Sequence, residues 1–211
     1  MEHGWPLISE DERERAARFY MDVHRSFFLS GRAMVRRILA RYVAEAAAEI
    51  RFVQGEFGKP SLASNGAGVE FNVSHSGDLL LIAVSTRPVG VDVERWKETS
   101  DLLELADHFF SPTEREHLRA LPRDGIVAGF FAAWCRKEAY LKASGTGISG
   151  GLDHFSMSLT PGEPARILHD DRDPGVHQRW FVTVLDVGTG YSAALVAEQP
   201  VDDVLLFDLS A

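Results

Sequence analysis

One cysteine, Cys135, stands in the whole 211-residue chain, so neither an intramolecular disulfide framework nor a cysteine-rich zinc site can be built from it. Long apolar runs are also missing: none approaches the roughly 20 residues of a membrane-spanning helix. The opening MEHGWPLISEDERER lacks the basic and apolar regions of a secretory signal. Positive charge is scarce. Twenty-two Lys and Arg face 31 Asp and Glu, a net charge of -9, which disfavours general affinity for nucleic acid or anionic membrane surfaces. These absences lead to the expectation of a soluble, cytoplasmic protein with no nucleic-acid or membrane partner. Its 45% hydrophobic content is enough to bury an ordinary core.

The charge is divided unevenly. Residues 1–89 hold 11 basic and 11 acidic side chains, whereas residues 90–211 hold 11 and 20, so the chain is read as two halves, 1–89 and 90–211, with different work. Between Asp22 and Glu45 there is no acidic residue, yet Arg25, Arg32, Arg36, Arg37 and Arg41 fall there. The stretch Glu10 to Ile50 reads as two helices, with Gly31 inside the second. Phe27, Val35, Ile38 and Tyr42 can form its apolar stripe, and Arg25, Arg32 and Arg36 share another sector. A solvated basic face explains that row, and a receiver for an anion is the alternative.

After a loop carrying Gly58, Lys59 and Pro60, three strands are expected at Glu70 to His75, Leu79 to Thr86 and Val89 to Arg95. Helices follow at Leu102 to Phe110, Thr113 to Leu121 and Ile126 to Ala143. Further strands are expected at Phe155 to Leu159, Arg179 to Val187 and Tyr191 to Glu198, the last two joined at Gly188-Thr189-Gly190. The fold class is therefore α+β, with helices running into an antiparallel hairpin in each half.

Three features carry chemistry. Asp92 and Glu94 lie two apart in the strand GVDVE, so both carboxylates leave one face and Val91 and Val93 the other. Two such charges call for a cation, either Lys or Arg or a divalent metal with a taste for hard oxygen ligands; an exposed strand face is the plain alternative. In FAAWCRKEAYLK, Phe131, Trp134, Cys135, Glu138 and Lys142 share one helix face, which places Glu138 in an apolar stripe where it needs a partner or a raised pKa. An ordinary helix pair with Lys142 would meet that need. Finally His75, between Ser74 and Ser76 and followed by Gly77, ends a strand where hydroxyls, imidazole and turn amides can cradle an anion, although a histidine before a turn is commonly structural. Cys135 has no activating neighbour in sequence and reads as a packing residue.

Taken in order, G-K-P, F-N-V-S-H-S, G-V-D-V-E and W-C-R-K-E-A-Y-L-K resemble the Sfp-type 4'-phosphopantetheinyl transferases. The resemblance covers Gly58 to Lys142 and, more loosely, Ala17-Arg18-Phe19-Tyr20 and Gly31-Arg32. It implies a pseudo-dimer of two similar α+β halves in one monomeric chain, with coenzyme A between them. The implied activity is transfer of phosphopantetheine from coenzyme A to a serine of an apo acyl or peptidyl carrier protein, releasing adenosine 3',5'-bisphosphate. By similarity Asp92, Glu94 and Glu138 would be magnesium ligands, with manganese as an alternative. Lys142 would neutralise the diphosphate, and Glu138 would also take the serine proton, directly or through a metal-bound water. Arg32, Lys59, Pro60, Ser74 and His75 would line the coenzyme A phosphates; Lys137 is less well placed, about 100° round the helix from Glu138. Two departures stand out: Cys135 replaces a common Ser or Thr, and Glu12 falls where some members carry lysine. A non-catalytic coenzyme A or nucleotide-binding module and a magnesium-dependent nucleotide hydrolase are the competing readings.

Overall fold

The computed structural model of the chain describes residues 6–64, 66–97, 101–147, 151–160, 162–201 and 203–208; the first five residues of the stretch read for a leader lie outside them. Two compact units result. One runs to Phe71 and takes in Val84–Thr86, and the other comprises Asn72–Ala83 and the chain from Arg87 onward.

The first unit begins with α1 (Glu10–Ala17), which Glu12 caps by accepting from the Ser9 N–H at 3.1 Å. Helix α2 (Asp22–Leu39) follows and buries Ala33, Val35, Arg36 and Leu39. The second helix expected to run to Ile50 thus stops early, and Tyr42, assigned to its apolar stripe, is 52% exposed. The cause is tertiary: the fully buried Arg36 donates to the carbonyls of Ala47 and Ile50, which folds residues 40–50 back as turns despite their alanine-rich composition. Two short strands, β1 (Phe52–Gln54) and β2 (Pro60–Leu62), pair antiparallel where a loop was expected.

The second unit carries most of the regular structure. Strands β3 (Glu70–Ser76) and β4 (Leu79–Ser85), whose facing ends lie in this unit, form a hairpin. Its tight turn uses Gly77 at φ +58°. Strand β5 (Val89–Arg95) is the edge of a three-stranded antiparallel sheet ordered β5, β9 (Tyr191–Glu198), β8 (Trp180–Val184), with Asp92 opposite Ala194. Helices α3 (Leu102–Phe109) and α4 (Pro112–Ala120) lead to α5 (Ile126–Ser144), which ends on Gly145 in the left-handed region. A second hairpin, β6 (Phe155–Met157) with β7 (Ile167–Asp170), and the short α6 (Val176–Arg179) complete the unit. No helix among the described residues is long and apolar enough to cross a membrane.

Helix α5 packs on the face of β5 and β9 through Cys135, Ala139, Tyr140 and Ala143, with Ala194 and Val196 beneath. Alternation along β5 puts Val89 and Val91 into a separate apolar cluster with Ala83 and turns Gly90 and Asp92 toward α5. At Gly90 a Cβ would sit 2.1 Å from the carbonyl oxygen of Ala139 and 2.4 Å from the Ala143 nitrogen, both backbone atoms. The missing methyl is what lets the helix lie close to the strand. Gly90→Ala should therefore cost about 2–3 kcal/mol by overpacking, read as a lower urea midpoint at unchanged m value; a loss below about 0.5 kcal/mol would show that α5 can move away without cost.

Candidate active site

Close approach of α5 to β5 gathers side chains from three elements of the second unit around a pocket of about 460 Å³: Val73, Ser74 and His75 from β3, Asp92 and Glu94 from β5, and Trp134, Glu138 and Lys142 from α5. The spacing of the last three is helical, so one face of α5 contributes all of them. Arg32, Lys59 and Pro60 belong to the first unit.

Asp92 is buried, only 3% exposed, and not on the exposed strand face that the D-x-E pattern alone allowed. Its Oδ1 accepts from Lys142 Nζ at 2.6 Å and from Ser74 Oγ at 2.7 Å. Lys142 also donates to Ser74 Oγ at 3.1 Å. The i to i+4 pairing of Glu138 with Lys142 is thus replaced by a pairing across to the strand. Ser74, expected on phosphate, has its one hydroxyl proton on the carboxylate. Glu94 accepts from Ser76 Oγ at 2.7 Å. No three His, Cys, Asp or Glu side chains stand at metal-ligating spacing among the described residues.

What these bonds leave over is informative. Asp92 Oδ2 and Glu138 Oε1 are both buried, and neither has a hydrogen-bond partner among the described residues. An orphaned carboxylate oxygen in a protein interior is costly, and two of them line one pocket. Burial, followed by the nearby Asp92 charge, holds the Glu138 carboxyl above its ordinary range, Lys142 pulling the other way. Beneath Asp92 the Cys135 thiol is 1% exposed and donates to the Ser192 carbonyl at 3.2 Å. Burial, with Asp92 next, pushes its pKa far up, so it remains a neutral packing group, as expected of it.

Lys137, the neighbour of Glu138, points the other way. It is fully buried and donates to both oxygens of Glu114, at 2.8 and 2.7 Å, and to the Phe155 carbonyl at 2.6 Å. Glu114 in turn accepts from the Met157 N–H at 2.7 Å and the Ser111 N–H at 2.9 Å. Nothing in the one-dimensional pattern paired residues 23 positions apart.

In the first unit the basic row of α2 is largely spoken for. Arg32 Nε donates to Glu12 Oε1 at 2.5 Å and its guanidinium lies over the Phe52 ring, 4.5 Å from the centroid. Arg36 binds the other Glu12 oxygen at 3.2 Å. Arg25 donates to the Ala16 and Phe19 carbonyls. Burial pushes the Glu12 carboxyl up, but Arg32, the Ser9 N–H and Arg36 together outweigh it and hold the group below its ordinary range. Lys59 is partly buried, which lowers its pKa against an opposing pull from Glu70. Pro60 opens β2, and His75 is exposed at the pocket.

A family model described as the 4'-phosphopantetheinyl transferase superfamily matches residues 88–196, and a second, the N-terminal part of 4'-phosphopantetheinyl transferases, matches residues 2–87. The chain belongs to the 4'-phosphopantetheinyl transferase superfamily. The two matches lie end to end along the transferase chain, in keeping with an α+β fold built of two halves. Among its relatives is the 4'-phosphopantetheinyl transferase HetI of Nostoc sp. strain PCC 7120, 45% identical over 163 residues, 76% of this chain and 68% of that one. The 4'-phosphopantetheinyl transferase Sfp of Bacillus subtilis strain 168 is 35% identical over 201 residues, 92% of this chain and 84% of its own.

Proposed function

We propose that the pocket between β3, β5 and α5 transfers phosphopantetheine from coenzyme A to the serine hydroxyl of an apo acyl or peptidyl carrier protein. The observation that carries this reading is the pair of unpartnered buried oxygens, Asp92 Oδ2 and Glu138 Oε1, beside an ammonium group in one pocket. An all-oxygen donor set with surplus negative charge fits a hard divalent cation such as magnesium, or manganese in its place. Asp92, Glu94 and Glu138 would hold it. When bound, the cation supplies neutralisation of the diphosphate and polarisation of its phosphorus–oxygen bonds.

The remaining work falls to the chain. Lys142 brings a positive charge to the pocket, where it is in place to meet the negative charge that grows on the leaving phosphate. Glu138, half-buried and aimed at the pocket, takes the serine proton as the serine oxygen bonds to phosphorus; the bridging phosphorus–oxygen bond breaks and adenosine 3',5'-bisphosphate leaves. Ser74 keeps Asp92 and Lys142 in register and His75 meets a phosphate. Trp134 walls one side and limits water. Arg32, Lys59 and Pro60 remain the first unit's candidates for the coenzyme A phosphates; for Arg32 this requires sharing its guanidinium with Glu12.

Incubation with coenzyme A, magnesium and an apo carrier protein, followed by weighing the carrier, tests the proposal. A mass gain of one phosphopantetheine that disappears with chelator, and with Asp92→Asn, is expected. Nucleotide release without carrier modification would instead make the protein a hydrolase, and neither product would make it a binding module.

A further inference from the structure

Strand β5 is the edge of its sheet, and β3 belongs to a different hairpin, yet the two strands are bonded along their length by side chains. Asn72 Oδ1 accepts from the Val91 N–H at 2.9 Å, Ser74 Oγ from the Val93 N–H at 3.4 Å and Ser76 Oγ from the Arg95 N–H at 3.0 Å. The donors and acceptors advance together by two residues at a constant separation of 19. Alternate side chains of β3 thereby satisfy N–H groups that an edge strand would otherwise leave open. Each serine then has one proton left to give. Ser74 gives it to Asp92 and Ser76 to Glu94, both at 2.7 Å.

The direction of these bonds matters. A hydroxyl has a single proton, and when its oxygen is already taking up an N–H, that proton is polarised and turned outward. The ladder thus converts fixed backbone donors of β5 into fixed hydroxyl donors against the carboxylates of the same strand. One oxygen of Glu94, Oε2, is tied down by that bond, and the Glu94 side chain lines the pocket. Lys142 adds a second restraint to Asp92, whereas the bond from Ser76 is the hydrogen bond that steers Glu94 among the described contacts. The tip of the β3 turn is seated as well: a Cβ at Gly77 would lie 2.6 Å from the Tyr191 hydroxyl, and the Asp78 N–H donates to that hydroxyl at 3.4 Å.

We propose that Ser76 is a positioning residue of the carboxylate site, holding Glu94 in the orientation that presents its second oxygen to a divalent cation and so setting cation affinity. The proposal rests on the reading of Asp92, Glu94 and Glu138 as cation ligands, and the test separates the two. Binding of Mn²⁺ to the full chain, without coenzyme A or carrier, is measured by electron paramagnetic resonance for wild type, Ser76→Ala, Ser76→Thr, Glu94→Ala and the double variant Ser76→Ala with Glu94→Ala. Ser76→Ala should weaken Mn²⁺ binding about tenfold or more, the usual scale for a group that orients a ligand. Ser76→Thr, which keeps the hydroxyl and suits a strand, should stay within about threefold of wild type. Once Glu94 is removed, Ser76→Ala should have no further effect. Should Ser76→Ala fail to fold, Ser76→Cys, similar in shape but a weak donor, takes its place. A residue that merely fastens β3 to β5 would lower the melting temperature equally with or without Glu94 and leave Mn²⁺ affinity unmoved, and that result overturns the proposal. If Glu94→Ala itself leaves Mn²⁺ affinity unchanged, the ligand assignment fails and the proposal falls with it.

Discussion

Glu138→Gln is expected to bind coenzyme A and yet lose transfer by about 10²-fold or more, the scale on which a general base contributes. The substitution keeps the shape of the side chain and one oxygen, so packing on α5 is preserved while charge and basicity are removed. Because Glu138 Oε1 makes no hydrogen bond among the described residues, glutamine breaks none there, and the change bears chiefly on the chemistry. Raising the pH should not recover the rate, since the amide has no proton to lose in that range. Titration calorimetry with coenzyme A and a carrier mass assay together decide the matter. A variant transferring at near wild-type rate would reduce Glu138 to a bystander of Asp92 and Lys142.

The largest expected loss of stability comes from the residue next to it. Lys137→Met preserves bulk but strands the Glu114 carboxylate, which is fully buried, with only N–H donors to face it. Breaking a buried pair from one side costs about 3–5 kcal/mol, enough to remove a large part of the stability of an ordinary domain. Burial lowers the pKa of the Lys137 ammonium and Glu114 opposes the change, which marks the pair as mutually dependent. Urea unfolding of the variant measures the cost. A loss of unfolding free energy below about 1 kcal/mol would mean that the backbone donors of Met157 and Ser111 suffice to hold Glu114 alone.

How much of this was legible in the sequence depended on where the deciding interactions lie. Strands β5 and β9 have the limits that their alternation announced, because β-branched residues and Gly-bounded turns fix them locally. The same alternation put Asp92 and Glu94 on one face, and helical spacing put Glu138 and Lys142 on another, so the members of the pocket were readable one element at a time. Their partners were not. Lys142 chose Asp92, 50 residues away, over Glu138 on its own helix, and burial of Asp92 could not be told from an exposed D-x-E. Residues 40–50 looked helical and are turns because a buried arginine claims their carbonyls. Strands β1, β2 and β7 are three or four residues long, too short for any period to register. The side-chain ladder did have a signature, Asn, Ser and Ser at alternate positions of FNVSHS, but its meaning required knowing that β5 lies alongside.

Lys137 and Glu138 are consecutive, and that adjacency has a mechanical side. With Lys137 clamped between Glu114 and the Phe155 carbonyl, α5 is indexed about its own long axis, and the next side chain, about 100° onward, inherits the setting. A roll of about 10° would carry a carboxylate lying about 6 Å from that axis sideways by about 1 Å, a displacement able to cost on the order of 10²-fold in rate. The interior pair therefore acts as an alignment pin for a group it never touches. With Glu138 as the base of the proposed transfer, loosening it without unfolding the chain would blur the aim of that carboxylate and reach turnover from the far side of the helix.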